Sequence, residues 1–298
     1  KYHSAASRAI ISLSVLFSFA AYTIPLQTQK YCLLFNMLCL SEIWIFPVKS
    51  LGGIRVPSAR VLPKGLAHDR RWMLVDGHNQ FLTQRVYPRM ALFNLAATAD
   101  GFEISFNAER LPMSVAQGEQ GPAISAVVWD SPVEVIEVSR QHSEWFSEHL
   151  KIRCKLVAFP EANARQIDPN YAAPDQHVSL ADGYPLLIVG QSSLDDLNSR
   201  LATPVPMNRF RPNLVFTGGR PYEEDGWKNF AIGQSRFTGV KPCSRCVVTT
   251  VDQQTAEKGK EPLATLAKYR SKNGKVFFGQ NLLVAYGTYI NEGDEIVL

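Results

Sequence analysis

The sharpest chemical signal is the run Lys241-Pro242-Cys243-Ser244-Arg245-Cys246-Val247-Val248-Thr249-Thr250. It reads as a proline-bearing loop that presents two thiols beside Lys241 and Arg245 and then passes into a β-branched strand. Cations near a thiol favour the thiolate, so at least one of these sulfurs is suited to act as a nucleophile or a soft-metal ligand. A bare Cys-x-x-Cys has three ordinary readings: half of a structural zinc site, a redox pair, or two unrelated buried thiols. Zinc is disfavoured because no second Cys-x-x-Cys and no His-x-x-x-His completes four ligands. A thioredoxin-type pair belongs between a strand and a long helix, whereas a strand is expected to follow directly here. Spacing alone leaves structural thiols and a functional sulfur side by side.

Two further stretches suit anions. In Asn208-Arg209-Phe210-Arg211-Pro212-Asn213, ahead of a strand over residues 214–216, paired arginines beside an Asn and fixed by a proline match bidentate phosphate capture. Two solvated surface charges are the plainer alternative. In Pro47-Val48-Lys49-Ser50, followed by Leu51-Gly52-Gly53, a lysine, a hydroxyl and free backbone amides close a strand in a way that can cradle an anion. Lys-Ser-Gly turns also end strands without any ligand.

These residues need a frame, and the pattern predicts one built mainly from short strands. Ile43 and Ile45 fall on one face and Trp44 and Phe46 on the other, until Pro47 ends the strand. Residues 71–76 read as a strand turning at Gly77 into 81–84, residues 91–98 pair with 102–106 across Asp100-Gly101, and 127–138 holds two strands broken at Ser131-Pro132. Helical signals are few. Trp145, Phe146, His149 and Leu150 share an amphipathic stretch, Ser192 with Asp195 resembles a capping box before Leu194 and Leu197, and Pro262 stands at the start of a helix bearing Leu263 and Leu266. Residues 159–174 lack both periodicities and mark the expected linker. The expected fold class is mixed and mostly β (α+β): a barrel-like part over 37–158, then a second β-rich part with a few helices over 159–298.

Hydrophobic residues make up 46% of the 298, ample for packed cores, which excludes a mainly disordered chain. With 31 Lys+Arg against 27 Asp+Glu the net charge is only +4, and no basic run is long enough for a nucleic-acid track. No nucleic acid is expected as a partner. Of the five cysteines, Cys32, Cys39 and Cys154 show no stapling pattern, which suits a reducing compartment and a cytoplasmic location. Residues 9–26 are apolar apart from Ser12, Ser14, Ser18, Tyr22 and Thr23, a marginal match to the roughly 20 apolar residues of a spanning helix. Residues 1–36 read either as a membrane anchor or as an extension that the fold does not need.

Taken together, the order and wording of these motifs resemble the MOSC-domain proteins of the bacterial YcbX and mitochondrial amidoxime-reducing component type. The resemblance covers residues 40–298. It rests on Pro47-Val48-Lys49-Ser50, Asp69-Arg70, Ala181-Asp182-Gly183-Tyr184-Pro185, Phe210-Arg211-Pro212-Asn213, Cys243-Ser244-Arg245-Cys246 with Thr249-Thr250-Val251, and Phe278-Gly279-Gln280-Asn281. It implies a MOSC N-terminal β-barrel domain followed by a β-barrel-like MOSC domain, with a molybdenum–molybdopterin cofactor (Moco) between the two parts. By the same resemblance Cys246 is the metal ligand. Lys49, Ser50, Arg70, Arg211 and Asn213 are the residues implied to hold pterin and phosphate, with Ser244 and Arg245 beside the metal. Asp182, Gly183 and Tyr184 match a cofactor-lining loop whose wording varies between branches. Pyridoxal phosphate binding and detoxification accompany the family as descriptors.

The activity implied is reduction of N-hydroxylated compounds (hydroxylamines, amidoximes, N-hydroxylated bases) by oxygen-atom removal at molybdenum. Bacterial relatives often carry a C-terminal ferredoxin-like domain with a cysteine cluster, and none precedes Leu298. Electrons are then expected from a separate ferredoxin-like or cytochrome b5-like protein, unless the sequence has been cut short. No side chain announces itself as the proton donor; Asp252 and His177 are only near in motif order. A competing reading is a non-catalytic cofactor carrier or sulfur-transfer module, with Cys246 bearing a persulfide or storing the cofactor. A third is a structural barrel whose cysteines bind nothing.

Overall fold

The computed structural model describes residues 37–117 and 121–298. The 1–36 segment, with its apolar stretch, lies outside the described residues. Among those described, no helix is long and apolar enough to cross a membrane.

The architecture is mostly β, with three α-helices among the described residues: α1 (Arg140–Leu150), α2 (Gln191–Ser199) and α3 (Leu263–Tyr269). The strand expected near Leu40 runs Cys39–Ile45 and stops just before Phe46-Pro47. It lies inside a nine-stranded sheet, between Ile54–Val56 and Leu214–Thr217. Leu214–Thr217 pairs in parallel with Leu186–Gly190, and a parallel pair needs a crossover, which α2 supplies. Lys275–Tyr286, Ser235–Arg245, Asn229–Ile232 and Ile296–Val297 continue the sheet in antiparallel fashion.

One core serves both halves of the chain. Leu40, Ile43 and Trp72 pack in the same buried cluster as Leu186, Phe216, Phe237 and Leu282. Each such burial contributes roughly 1.5–3 kcal/mol, so the N-terminal strand is held firmly against the C-terminal half. A second core of Met73, Val75, Val133, Val135 and Val157 backs a four-stranded sheet of Trp72–Val75, Lys155–Ala158, Ser131–Glu137 and Ala123–Val128. A third cluster joins Leu194 and Leu197 of α2 and Leu266 of α3 to Phe210 and Phe278, whose rings stack at 4.1 Å.

Several local expectations change, each for a physical reason. The break in 127–138 falls at Trp129-Asp130, because Ser131 pairs with Val128 and Pro132 with Val127. Pro132 is tolerated inside the strand because its end of Ser131–Glu137 pairs on one side only; the other neighbour begins at Ile136. Pro88 opens a 3-10 turn over Pro88–Leu92, leaving a strand of only Asn94–Ala97, and Glu109–Ser114 adds a strand despite Pro112.

Ser192 is not a cap: α2 starts at Gln191 behind Gly190, and buried Glu224 accepts from Gly190 N and Ser193 Oγ in its place. The β-branched run after Cys246 is a 3-10 turn, Val247–Thr250, and the strand, Ser235–Arg245, holds Cys243 and ends just before Cys246. Thr249 and Thr250 hydroxyls bond the carbonyls of Cys246 and Val247, which curls a segment that composition alone makes extended. The α1 amphipathic stretch forms as expected, capped by Ser139, and Pro262 directly precedes α3. The 159–174 stretch contains a short strand, Arg165–Gln166, paired with His177–Val178.

Candidate functional site

Cys246 ends the long strand Ser235–Arg245 and begins the 3-10 turn, so its sulfur stands where the sheet stops. Arg85 Nη2 donates to that sulfur at 3.2 Å. The same nitrogen lies 3.3 Å from Asp182 Oδ2, while Lys49 Nζ bonds Asp182 Oδ1 at 2.5 Å and Leu180 O at 2.7 Å. Lys49, Asp182, Arg85 and Cys246 thus form one continuous polar row, drawn from four distant parts of the sequence. Arg165 is buried behind it and donates to the carbonyls of Ser179, Ala181 and Asp182, fixing the loop that carries Asp182.

Electrostatics follow from this crowding. At Asp182 loss of water works to raise the carboxyl pKa, but Lys49 and then Arg85 outweigh it and hold the group well below the usual carboxylate range. The side chain is 56% exposed, so screening limits what the pairs add to stability; their effect is chiefly to fix position. Burial pushes the Lys49 ammonium down against the pull of Asp182.

A second cluster centres on Phe46. The guanidinium carbons of Arg70 and Arg211 lie 4.4 and 4.3 Å from its ring centroid. Buried Asp69 takes Arg70 Nη1 on both oxygens and the Phe46 amide on Oδ1. Arg211 has no such partner: its guanidinium makes no hydrogen bond among the described residues. Burial, then the adjacent Arg70, pushes it down to about 9, the mark of a cation in want of an anion. Ser50, Arg70 and Arg211 all take left-handed backbone angles, φ +67°, +50° and +55°. Each costs on the order of 1–2 kcal/mol, and such strain gathers at ligand-binding positions.

The remaining sequence-derived residues divide into exposed and supporting ones. Ser244 is exposed on the strand end, and Gly183 is open with nothing near its missing side chain. Arg245 donates to Cys243 Sγ at 3.1 Å and Phe210 O at 2.6 Å, so it braces the first cysteine against the Arg211 segment. Tyr184 stands beside Lys241, whose ammonium lies 3.6 Å over the Tyr171 ring. The Asn213 side chain is engaged with Trp44 O and Leu187 N, bridging two strands of the sheet. Arg209 turns away from its Arg211 partner to bond Thr249 O, Glu261 O and Asp252.

Asp252 caps Gln254 and Thr255, and these amides hold its pKa down. His177 sits in the short strand paired with Gln166. In Phe278-Gly279-Gln280-Asn281, Gly279 has φ +78° and a Cβ there would meet Val189 and Ile188 O at under 3.0 Å. Asn281 donates to Lys241 O, tying this strand to the one that carries the cysteines.

Sequence reading missed Arg85, Phe46 and Trp129. Arg85 follows the expected strand at 81–84 as a lone basic residue, and nothing in its neighbours flags it. Two hollows involve the residues described above, Phe46 and Arg211 in one and Asp182 in the other. One of about 260 Å³ is lined by Trp44, Phe46, Arg211 and Gln253, and one of about 460 Å³ by Trp129, Asp182, Tyr184 and Lys241. Gln84, fully buried, bonds Gln253 of the first lining, and Arg85 reaches Asp182 of the second. Among the described residues no three His, Cys, Asp or Glu side chains gather to hold a metal. The two sulfurs, Cys243 and Cys246, each lie against a guanidinium, which is not a zinc-type cage.

Comparison with known proteins matches this frame. Residues 37–153 fit the MOSC N-terminal beta barrel domain and residues 175–297 the MOSC domain. Mitochondrial amidoxime-reducing component 1 of Mus musculus is 31% identical over 278 residues, covering 87% of this chain and 82% of that protein. The protein of the same name in Homo sapiens is 31% identical over 295 residues, covering 91% and 86%. Molybdenum cofactor sulfurase of Oryza sativa subsp. japonica is 33% identical over 261 residues, 80% of this chain, which spans only 32% of that protein. With the two domain models together covering most of its length and the mouse and human relatives matched over more than four fifths of both chains, the chain belongs to the MOSC family.

Proposed function

We propose that the protein binds a molybdenum–molybdopterin cofactor and reduces N-hydroxylated compounds. The observation that carries this reading is the Cys246 sulfur held beside Arg85, together with an Arg211 guanidinium that makes no hydrogen bond among the described residues. The donor set suits the group: Arg211 offers an open planar fork for a phosphate, Arg70, held by Asp69, adds positive charge beside it, and Cys246 offers a soft ligand for molybdenum. Once bound, the cofactor would supply a two-electron centre at which R–NH–OH takes up two electrons and two protons, the N–O bond breaks, and R–NH2 and water leave.

The chain's own residues then have separate tasks. Arg70, fixed by Asp69, and Arg211 position the anionic end. Arg85 orients the sulfur and balances its charge, while Asp182 and Lys49 hold Arg85 in place. Asp252, whose pKa is held down and whose carboxylate is committed to its turn, is a poor proton donor, and solvent is the source we assign. Electrons come from a separate ferredoxin-like or cytochrome b5-like protein. The amidoxime-reducing names of the mouse and human relatives support this activity.

The sulfurase name of the rice relative favours a second reading, a cofactor carrier or sulfur-transfer module. Molybdenum and pterin analysis of protein from a cofactor-competent host, followed by hydroxylamine turnover with an artificial donor, separates them. Cofactor with turnover supports the reductase, cofactor without turnover supports the carrier, and absence of both cofactor and turnover removes each.

A further inference from the structure

Trp129 occupies the first position of the two-residue turn between Ala123–Val128 and Ser131–Glu137, with φ +57°. That conformation disfavours a bulky side chain, and Gly, Asn or Asp is the usual occupant. Core burial does not explain the choice, since Trp129 is 42% exposed. The indole is nevertheless held at three points. Its Nε1 donates to Asp182 Oδ1 at 3.4 Å, the Arg85 guanidinium lies 4.4 Å from its centroid, and Phe81 meets it edge to face at 4.9 Å. Arg85 and Asp182 belong to the row that ends at the Cys246 sulfur, and the indole lines the 460 Å³ cleft with Asp182, Tyr184 and Lys241.

We infer that Trp129 is a stacking platform that makes this site prefer planar, π-faced N-hydroxylated compounds over small ones. A flat ring already fixed by its neighbours offers contact area with little rotamer freedom left to lose. Stacking on one aromatic side chain changes affinity by about tenfold or more. The inference rests on the reductase reading above and names the substrate class of that site.

The test compares kcat/KM for benzamidoxime with that for hydroxylamine in the holoenzyme and in Trp129→Phe, Trp129→Leu and Trp129→Ala. Taking the ratio cancels losses common to both compounds, including any transmitted through Arg85 or Asp182. The ratio is expected to fall about tenfold in the Ala and Leu variants, through KM for benzamidoxime, and to stay near wild type in the Phe variant. In parallel, binding of benzamide, planar and without an N–OH group, is measured on cofactor-free protein, and should weaken about tenfold in the same two variants. An unchanged ratio in Trp129→Ala, or a Leu variant that performs like Phe, overturns the inference. If wild type turns over neither compound, the reductase reading fails instead, and the benzamide series alone decides whether Trp129 stacks planar ligands.

Discussion

Arg85 Nη2 stands 3.2 Å from the Cys246 sulfur, although Arg85 lies in a turn, Cys246 follows the end of a strand, and the two are far apart in sequence. A guanidinium at that distance is a charge-assisted donor; Cys243 has its own in Arg245, and what distinguishes Cys246 is that its arginine ties it to Asp182 and Lys49. Replacing Arg85 with Leu should therefore slow alkylation of Cys246 by iodoacetamide in cofactor-free protein and lower turnover per bound molybdenum about tenfold. Arg85→Lys should recover part of both, since charge returns without the fork. Alkylation and turnover that do not change in Arg85→Leu would remove the role assigned to this pair.

The Arg211 guanidinium makes no hydrogen bond among the described residues, and Arg211→Ala should lower cofactor occupancy. Loss of one Arg–phosphate contact costs on the order of 2 kcal/mol, about thirtyfold in affinity, with Lys a partial substitute. Its lowered pKa, about 9, adds a pH dependence. A bound anion favours the charged form, so pyrophosphate affinity of cofactor-free protein should be full below about pH 9 and fade as pH rises through it. Equal molybdenum content in wild type and both variants, or affinity flat to pH 10, contradicts the assignment.

How far the sequence exposed this site depends on how local each signal is. Cys246, Arg211 and Lys49 sit in runs whose neighbours advertise them: a second thiol, a proline, a strand-ending turn. Arg85 and Phe46 gain their meaning only from residues brought near by the nine-stranded sheet, and no spacing rule reports a cation placed against a sulfur from another segment. The β-branched run after Cys246 misled for a related reason. Its strand propensity is real, but two threonine hydroxyls offered the backbone a tighter alternative. The mostly-β class was legible throughout, because alternation with period two survives whatever the strands pair with.

Glu224 offers a test of the scaffold apart from the site. It is fully buried, and burial raises its carboxyl pKa despite bonds from Gly190 N and Ser193 Oγ. A carboxyl raised in the fold favours the protonated form, so its stabilising contribution is complete below the unfolded value and is lost as pH rises through the folded one. Wild type should thus lose stability on going from pH 5 upward, and Glu224→Gln, neutral and nearly isosteric, should flatten that decline. Urea midpoints measured from about pH 5 to pH 8 decide it; parallel curves for the two proteins would show that Glu224 does not titrate in this way.

The most exposed prediction separates the two cysteines. Cys243 lies within the strand, packed beside the α2 and α3 cluster and braced by Arg245. Cys246 stands at the strand's end against Arg85. Serine at 243 keeps size and polarity and leaves the row from Lys49 to Cys246 intact, so Cys243→Ser should retain most of its turnover. Serine at 246 replaces a soft, readily ionised ligand by a hydroxyl that does not ionise near neutral pH, and turnover per bound molybdenum should fall at least a hundredfold, on the order of 3 kcal/mol. The pterin should still bind in that variant, because Arg70 and Arg211 are untouched. Hydroxylamine reduction normalised to molybdenum, measured on both variants together, is decisive. An inactive Cys243→Ser with an active Cys246→Ser reverses the ligand assignment, and full activity in both removes a thiolate ligand from the reaction altogether.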